Sequence, residues 1–256
     1  GEEIRSFDGH SDIVFEAIFS PDESKILTRS RDNTAILWDA ETGEQLVIYT
    51  GYMDEVLSVD LHAGASLVAT GTLDNFVHLY EMDSGEHRAQ WEQLRPVRAV
   101  AFTPGGDQLL VGSDETPRLF SVSTGEEVRA FPGHGNYVRA LAFDRAGNRF
   151  ASGSYDDTAR LWNVATGAEL QVFTGHEDVI NAVDLSRDGS LLITGSSDDT
   201  GRIWDAQTGD EVHILEGHTQ RVFAVALSPD NTRAVTGAVD SSIRLWNVET
   251  GALIDT

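Results

Sequence analysis

One ladder of residues occurs four times in this chain at a fixed spacing: a Gly-His pair, then a hydroxyl residue, an aspartate and a tryptophan. Gly133-His134 leads to Ser152, eighteen residues on, and then to Asp156 and Trp162. His176, Thr194, Asp198 and Trp204 repeat the pattern, as do His218, Thr236, Asp240 and Trp246, and His10, Thr28, Asp32 and Trp38. From Trp162 to Trp204 to Trp246 the interval is 42 residues. A catalytic centre is built once per fold. A constellation set down at constant period is a unit of architecture, whose hydrophobic face is covered by its neighbours. Function in such a chain is to be sought on the surface that the repeats make together.

Tyr80 and Phe120 hold the tryptophan position in two weaker copies, giving six repeats at approximately 1–43, 44–85, 86–125, 126–167, 168–209 and 210–256 of a single domain. In repeat five, residues 179–186, 190–195 and 200–205 are short runs rich in apolar and β-branched side chains. Such runs, bounded by turn residues, predict strands. The breaks carry turn chemistry: Ser228-Pro229-Asp230, Arg187-Asp188-Gly189 and a Thr-Gly pair near the end of five repeats. No stretch keeps a helical period. The expected fold class is all-β, with four short strands per repeat.

A period near 42 with Gly-His early and Trp-Asp late resembles the WD40-repeat family, over essentially the whole chain. Trp38-Asp39 and Trp204-Asp205 carry the namesake dipeptide, and Trp162-Asn163 and Trp246-Asn247 are variants of it. The resemblance implies a β-propeller with six four-stranded blades visible, in a full ring of six or seven. It also implies that His, Ser/Thr, Asp and Trp of each strong repeat form a buried hydrogen-bond network. Such a network is physically sensible, because a buried carboxylate is tolerated only when donors fill its acceptor sites. Repeat two keeps Thr70 and Asp74 but has Tyr52 for the histidine. Repeat three is shorter, lacks Gly-His near Trp91-Glu92-Gln93, has Val111 for the hydroxyl and is disturbed at Ser113-Asp114-Glu115. It is expected to lack the network.

Charge narrows the partners. Acidic residues number 42 against 18 basic, a net charge of −24, and Lys25 is the one lysine. A field of that sign opposes docking on nucleic-acid phosphates or anionic membranes, so neither is an expected partner. The composition suggests a salt-adapted or a GC-rich bacterial source, and the resemblance reads as a bacterial-type protein. No apolar run approaches the ~18 residues of a membrane helix, and a monomeric, cytoplasmic protein is expected. With no cysteine, disulfides and thiol chemistry are excluded. Gly1-Glu2-Glu3-Ile4 matches the outer-strand segment Gly125-Glu126-Glu127-Val128, and Gly251 to Ile254 repeats it. The extra copy suggests either an excerpt of a longer chain or an N-terminal strand competing to latch the ring.

His134, Ser152 and Asp156 contain the ingredients of a nucleophilic triad, but a triad is defined by geometry and roles. Four copies, three with threonine, argue for a structural role, and no enzymatic activity is expected. The other histidines (His62, His78, His87 and His213) show no metal-ligand spacing, and there is no phosphate-binding glycine loop. Neither metal nor cofactor is implied.

By the resemblance, three positions per repeat face the peptide-binding rim: three and five after the histidine, and the one before the aspartate. Transferred onto this chain they include Phe15, Arg31, Arg98, Tyr137, Arg139, Tyr155, Arg221 and Phe223. Arginine and aromatic side chains in an otherwise acidic protein mark an interface. The expected function is a non-catalytic protein–protein interaction scaffold that binds a peptide segment, acidic or phosphorylated, on the Gly-His-loop face. The alternative is a regulatory or structural appendage of a signalling enzyme, such as a kinase, on the same longer chain.

Overall fold

The computed structural model describes residues 4–256, so Gly1–Glu3 of the N-terminal outer-strand match lie outside the described residues, and Ile4–Phe7 form no strand. Six four-stranded antiparallel sheets follow one another, each with its strands paired in chain order. These are the six blades. They group into two compact units: one runs to Ser113 and includes Phe120–Glu126, the other comprises Asp114–Leu119 and Glu127–Thr256.

Blade five shows why the sequence folds this way. Its first three strands, Ile180–Leu185, Leu191–Ser196 and Gly201–Asp205, fall within a residue of the predicted runs. The fourth, Glu211–Leu215, is the exposed outer strand. The second strand is almost wholly buried and reads as a continuous run, as expected where both faces are covered. Its register places Thr194 opposite Val183 on one side and Arg202 on the other. The Asp188-Gly189 turn is closed by Ser186 Oγ donating to Asp188 Oδ1 at 2.8 Å, with Gly189 in the left-handed region at φ +67°. That backbone favours glycine because it has no Cβ.

Blades pack face to face within each unit. Ile180, Val183 and Leu185 of blade five join Ala151, Leu161 and Phe173 of blade four in one core, while Ile193, Ile203 and Leu215 meet Ala234, Trp246 and Val248 of blade six. In the other unit, Leu27, Leu37 and Tyr49 of blade one pack on Val56, Val59 and Leu61 of blade two. Each fully buried aliphatic side chain contributes about 1.5–3 kcal/mol.

Two acids fasten first strands to the next blade. Asp60 accepts the Phe102 N–H at 2.6 Å and its neighbour Leu61 N–H at 2.8 Å. Asp184 accepts the Leu227 N–H at 2.8 Å. Burial raises both carboxyl pKa values, that of Asp60 to about 7, against the opposing pull of the backbone donors.

Candidate functional site

The repeated ladder forms the same network in four blades. In blade four His134 Nδ1 lies 2.9 Å from Asp156 Oδ2 and Nε2 lies 2.7 Å from Ser152 Oγ, which also accepts the Trp162 indole N–H at 2.8 Å. The corresponding histidine distances are 2.7 and 2.7 Å for His176 with Asp198 and Thr194, and 2.9 and 2.7 Å for His10 with Asp32 and Thr28. For His218 they are 3.0 Å to Asp240 and 2.7 Å to Thr236. Trp204, Trp246 and Trp38 each donate to the hydroxyl of their own blade.

These contacts assign the proton positions. The carboxylate only accepts, so the histidine Nδ1 carries the hydrogen and donates to it. Nε2 then accepts from the Ser/Thr hydroxyl, whose oxygen in turn accepts from the indole. Every polar atom of the relay is satisfied, which is what makes its burial affordable. Although His, Ser and Asp are arranged in triad order in blade four, Ser152 is fully buried beneath the tryptophan and offers no approach to a substrate.

A member absent from the sequence reading completes each network. Two residues after the aspartate a hydroxyl donates to its second oxygen: Thr34 at 2.6 Å, Thr158 at 2.6 Å, Thr200 at 2.7 Å and Ser242 at 2.7 Å. The N–H after the histidine adds a further bond, from Gly135 at 2.8 Å in blade four. Burial alone disfavours the charged forms of Asp156 and Asp198, but the histidine, threonine and backbone donors outweigh it and hold both well below the usual carboxylate range. The signal was present in sequence as Asp-x-Ser/Thr in all four repeats.

The weak repeats depart as their sequences imply. In blade two Tyr52 packs edge-on against His78 at 5.2 Å and Tyr80 at 5.9 Å. Tyr49 joins Tyr80 at 5.3 Å, so an aromatic cluster stands where the network would be. In blade three Asp114 keeps its turn, accepting the Thr116 N–H at 2.8 Å, but its charged partner is Arg118 at 2.8 Å rather than a histidine.

The rim positions share a structural cause that the sequence did not reveal. The first strands of blades one, two, four, five and six each carry a bulge, falling at Phe15, Leu57, Arg139, Asn181 and Phe223. A bulged residue is left out of the ladder and its side chain is re-aimed. Next to it, one backbone bond ties the loop to the aspartate turn: Arg31 to Ile13, Tyr155 to Tyr137 and Val239 to Arg221. The other two rim positions of each blade are thereby held side by side.

In the unit containing blades four to six, Arg139 lies with its guanidinium carbon 6.0 Å from the Tyr155 ring and 5.4 Å from that of Phe223. Its Nη1 also reaches the Tyr155 hydroxyl at 3.4 Å, and Tyr137 packs edge-on to Tyr155 at 6.3 Å. The structure therefore brings together Tyr137, Arg139, Tyr155 and Phe223. Beside Phe223 is a cleft of about 480 Å³ lined by Arg221, Val239, Gln220, Ser197, Asp178 and Asp199 among others. Its acidic wall was not anticipated. Burial, then the charges of Asp178, Asp156 and Asp198, raise the pKa of nearby Asp157. In the other unit, Phe15 and Arg31 are exposed on blade one, Arg29 lies over the Phe15 ring at 5.5 Å, and Arg98 is half-buried on blade three. Among the described residues no group of three His, Cys, Asp or Glu is arranged to hold a metal ion, and no helix is long and apolar enough to cross a membrane.

Comparison with known proteins agrees with this geometry. The family model "WD domain, G-beta repeat" matches residues 1–39, 43–81, 90–121, 125–163, 167–205 and 209–247. Relatives include eukaryotic translation initiation factor 3 subunit I of Debaryomyces hansenii, 33% identical over 107 residues that make up 42% of this chain and 31% of that protein. Another is the guanine nucleotide-binding protein subunit beta of Oryza sativa subsp. indica, 30% identical over 137 residues, or 50% of this chain and 36% of that one. The matched stretches thus span only about a third of the relatives' length. None of these relatives is bacterial, so the bacterial-type reading and the excerpt drawn with it find no support among them. Six matched repeats, six four-stranded blades and four intact His–Ser/Thr–Asp–Trp networks lead to one conclusion: the chain belongs to the WD40 (WD domain, G-beta repeat) family.

Proposed function

We propose that this propeller is a non-catalytic interaction scaffold, and that the bulge rim of blades four to six binds a peptide segment of a partner protein. The observation that carries the reading is the cleft at Phe223. Exposed apolar Phe223 and Val239 stand beside the exposed guanidinium of Arg221, and a rigid backbone tie holds Val239 to Arg221. An aromatic anchor next to an arginine is the composition of an interface hot spot. Arg139 stacked between Tyr155 and Phe223 stiffens the adjoining wall, which lowers the ordering cost of binding.

Arg221 suits a carboxylate or a phosphate, since its planar fork donates two parallel bonds. Asp178 and Asp199 line the same cleft and repel a uniformly acidic segment. The ligand class that fits is a peptide whose single acidic or phosphorylated residue is flanked by apolar or basic ones. Both relatives are named as subunits, which agrees with a role inside an assembly.

Selection of a random twelve-residue peptide library on the immobilised, folded chain tests the reading. Enriched peptides are expected to place an acidic residue beside a large apolar one and to lose at least tenfold in affinity against Arg221→Glu or Phe223→Ala. Absence of enrichment, or affinities indifferent to both substitutions, would overturn it.

A further inference from the structure

The cleft beside Phe223 holds charges of both signs, and they do not neutralise one another. Elsewhere in the same unit Arg149, Arg160 and Arg202 each pair with a carboxylate, that of Asp144, Glu169 and Glu211 respectively. Arg221 behaves differently. Asp178 and Asp199 line the same cleft, yet among the described residues Arg221 forms an ion pair with neither, and its guanidinium lies over no ring. The Asp199 carboxylate likewise has no hydrogen-bond donor among the described residues.

The backbone mounts the two signs on opposite walls. Arg221, Phe223 and Val239 belong to blade six, and the Val239 N–H donates to the Arg221 carbonyl at 3.0 Å. The acids belong to blade five. Asp178 accepts the Val179 N–H on its carboxylate at 2.7 Å and the Ser196 hydroxyl on its carbonyl at 2.8 Å. Asp199 follows the network carboxylate of Asp198 and takes a left-handed backbone at φ +71°, a conformation that aspartate tolerates better than most residues. The acid wall is felt by a neighbour: burial, and then the charges of Asp178, Asp156 and Asp198, raise the pKa of Asp157. An arginine and two carboxylates fixed in one cleft without pairing are complementary to a ligand that carries both charges itself.

We infer that the cleft reads a charge pair: building on the peptide-binding reading above, the segment's acidic residue lies against Arg221 while a lysine or arginine two positions away lies against Asp178 and Asp199. In an extended segment residues i and i+2 point to the same side, roughly 7 Å apart. That spacing suits two charges facing opposite walls of a cleft of about 480 Å³. The apolar neighbour covers Phe223 and Val239. Electrostatic screening acts over about 8 Å at physiological ionic strength, so only a cation brought into the cleft responds strongly to its wall. Acetylation of the partner's lysine removes that charge and thereby releases the segment.

Arrays of twelve-residue peptides with varied flanks around fixed cores test this on the folded 256-residue chain. The cores are Glu-x-Lys, Glu-x-acetyl-lysine, and Glu-x-Ala with the lysine moved six positions away. The last keeps the composition constant, and so separates the acid wall from the general field of a chain of net charge −24. Peptides with the Glu-x-Lys core are expected to bind at least about tenfold more tightly than either counterpart with matched flanks. In Asp178→Asn/Asp199→Asn that preference should fall to within about twofold, while binding still depends on Phe223. The variant is structurally conservative: asparagine also tolerates a left-handed backbone, and its amide oxygen can still accept the Val179 N–H. An unchanged circular-dichroism melt checks this.

Binding that depends on Phe223 but is indifferent to the charge or place of the lysine would overturn the inference and leave the peptide-binding reading standing. A lysine preference that survives in the double asparagine variant would also overturn it, because the cation would then be read elsewhere. If no peptide binds in a Phe223-dependent way, the peptide-binding reading fails and the charge-pair inference falls with it.

Discussion

Replacing Asp198 by alanine tests the network where its geometry is tightest. The carboxylate accepts the His176 Nδ1–H at 2.7 Å, the Thr200 hydroxyl at 2.7 Å, the Thr200 N–H at 3.0 Å and the Glu177 N–H at 3.1 Å. Truncation strands the imidazole donor, whose ring is buried against Trp204 at 6.2 Å. Bonds to a charged group are worth about 1.5–3 kcal/mol, and a buried donor left without a partner costs about 1–3 kcal/mol more. The backbone N–H groups lie nearer the surface and recover water. The net loss is therefore about 3–5 kcal/mol, in the range observed when one partner of a buried pair is removed. For a domain of this size that corresponds to roughly 6–20 °C in Tm. Glu44→Ala, at an exposed turn, is expected within about 0.5 kcal/mol of the parent. Circular-dichroism melts of the two variants make the comparison. A His176→Phe/Asp198→Ala cycle should return a coupling of about 1–3 kcal/mol. Equal melting temperatures, or additive effects in the cycle, would refute the account of the network.

Other expectations follow from particular contacts. Thr200→Val removes one hydroxyl donor from Asp198 and should cost about 1–2 kcal/mol in chemical denaturation, despite similar volume. Gly195→Ala would drive a methyl against Val222 and Val225 and should destabilise by about 1–3 kcal/mol, whereas Gly237→Ala should be nearly neutral, a contrast readable in denaturant midpoints. Asp60 titrates at about 7 in the folded protein against 3.8 as its ordinary value, so the folded state binds the extra proton. Its contribution is fully present below about pH 4 and is lost as pH rises towards 7, at about 1.4 kcal/mol per pKa unit. Asp60→Asn should flatten that part of the stability–pH curve. The lowered carboxyls Asp156 and Asp198 act oppositely: their contribution is present above about pH 4 and is lost on acidification, and Asp198→Ala should weaken that acid limb.

The fold was legible because its determinants are periodic and local. A fixed spacing of Gly-His, hydroxyl, aspartate and tryptophan locates each blade, and turn residues delimit the strands to within a residue in blade five. Its breakdown was legible too, although Arg118 could not be foreseen as the substitute partner of Asp114, since the pairing depends on how the shortened turn folds. The proposed rim is legible in the sequence as a set of positions but not as a surface. The bulges that turn Arg139 and Phe223 out of their ladders are a register effect that a single strand does not encode. That Arg139 of blade four would lie over Phe223 of blade six depends on neighbouring blades assembling, as does the acidic wall of Asp178 and Asp199. The hydroxyl two residues after each aspartate stood in plain sight. It was missed because serine and threonine in a turn are unremarkable until their distance to the carboxylate is known.

In the proposed division of labour, the repeated ladder holds the blades and the rim of blades four to six recognises the partner. It is tested most directly by measuring, for one selected peptide, affinity by calorimetry and Tm for Ser152→Ala and Phe223→Ala side by side. The account predicts that Ser152→Ala, which strips the hydroxyl between His134 and Trp162, lowers Tm while leaving Kd within about twofold. Phe223→Ala should leave Tm within a few degrees and weaken binding at least tenfold. The reverse pattern, with binding lost through Ser152 and unaffected at Phe223, would contradict it.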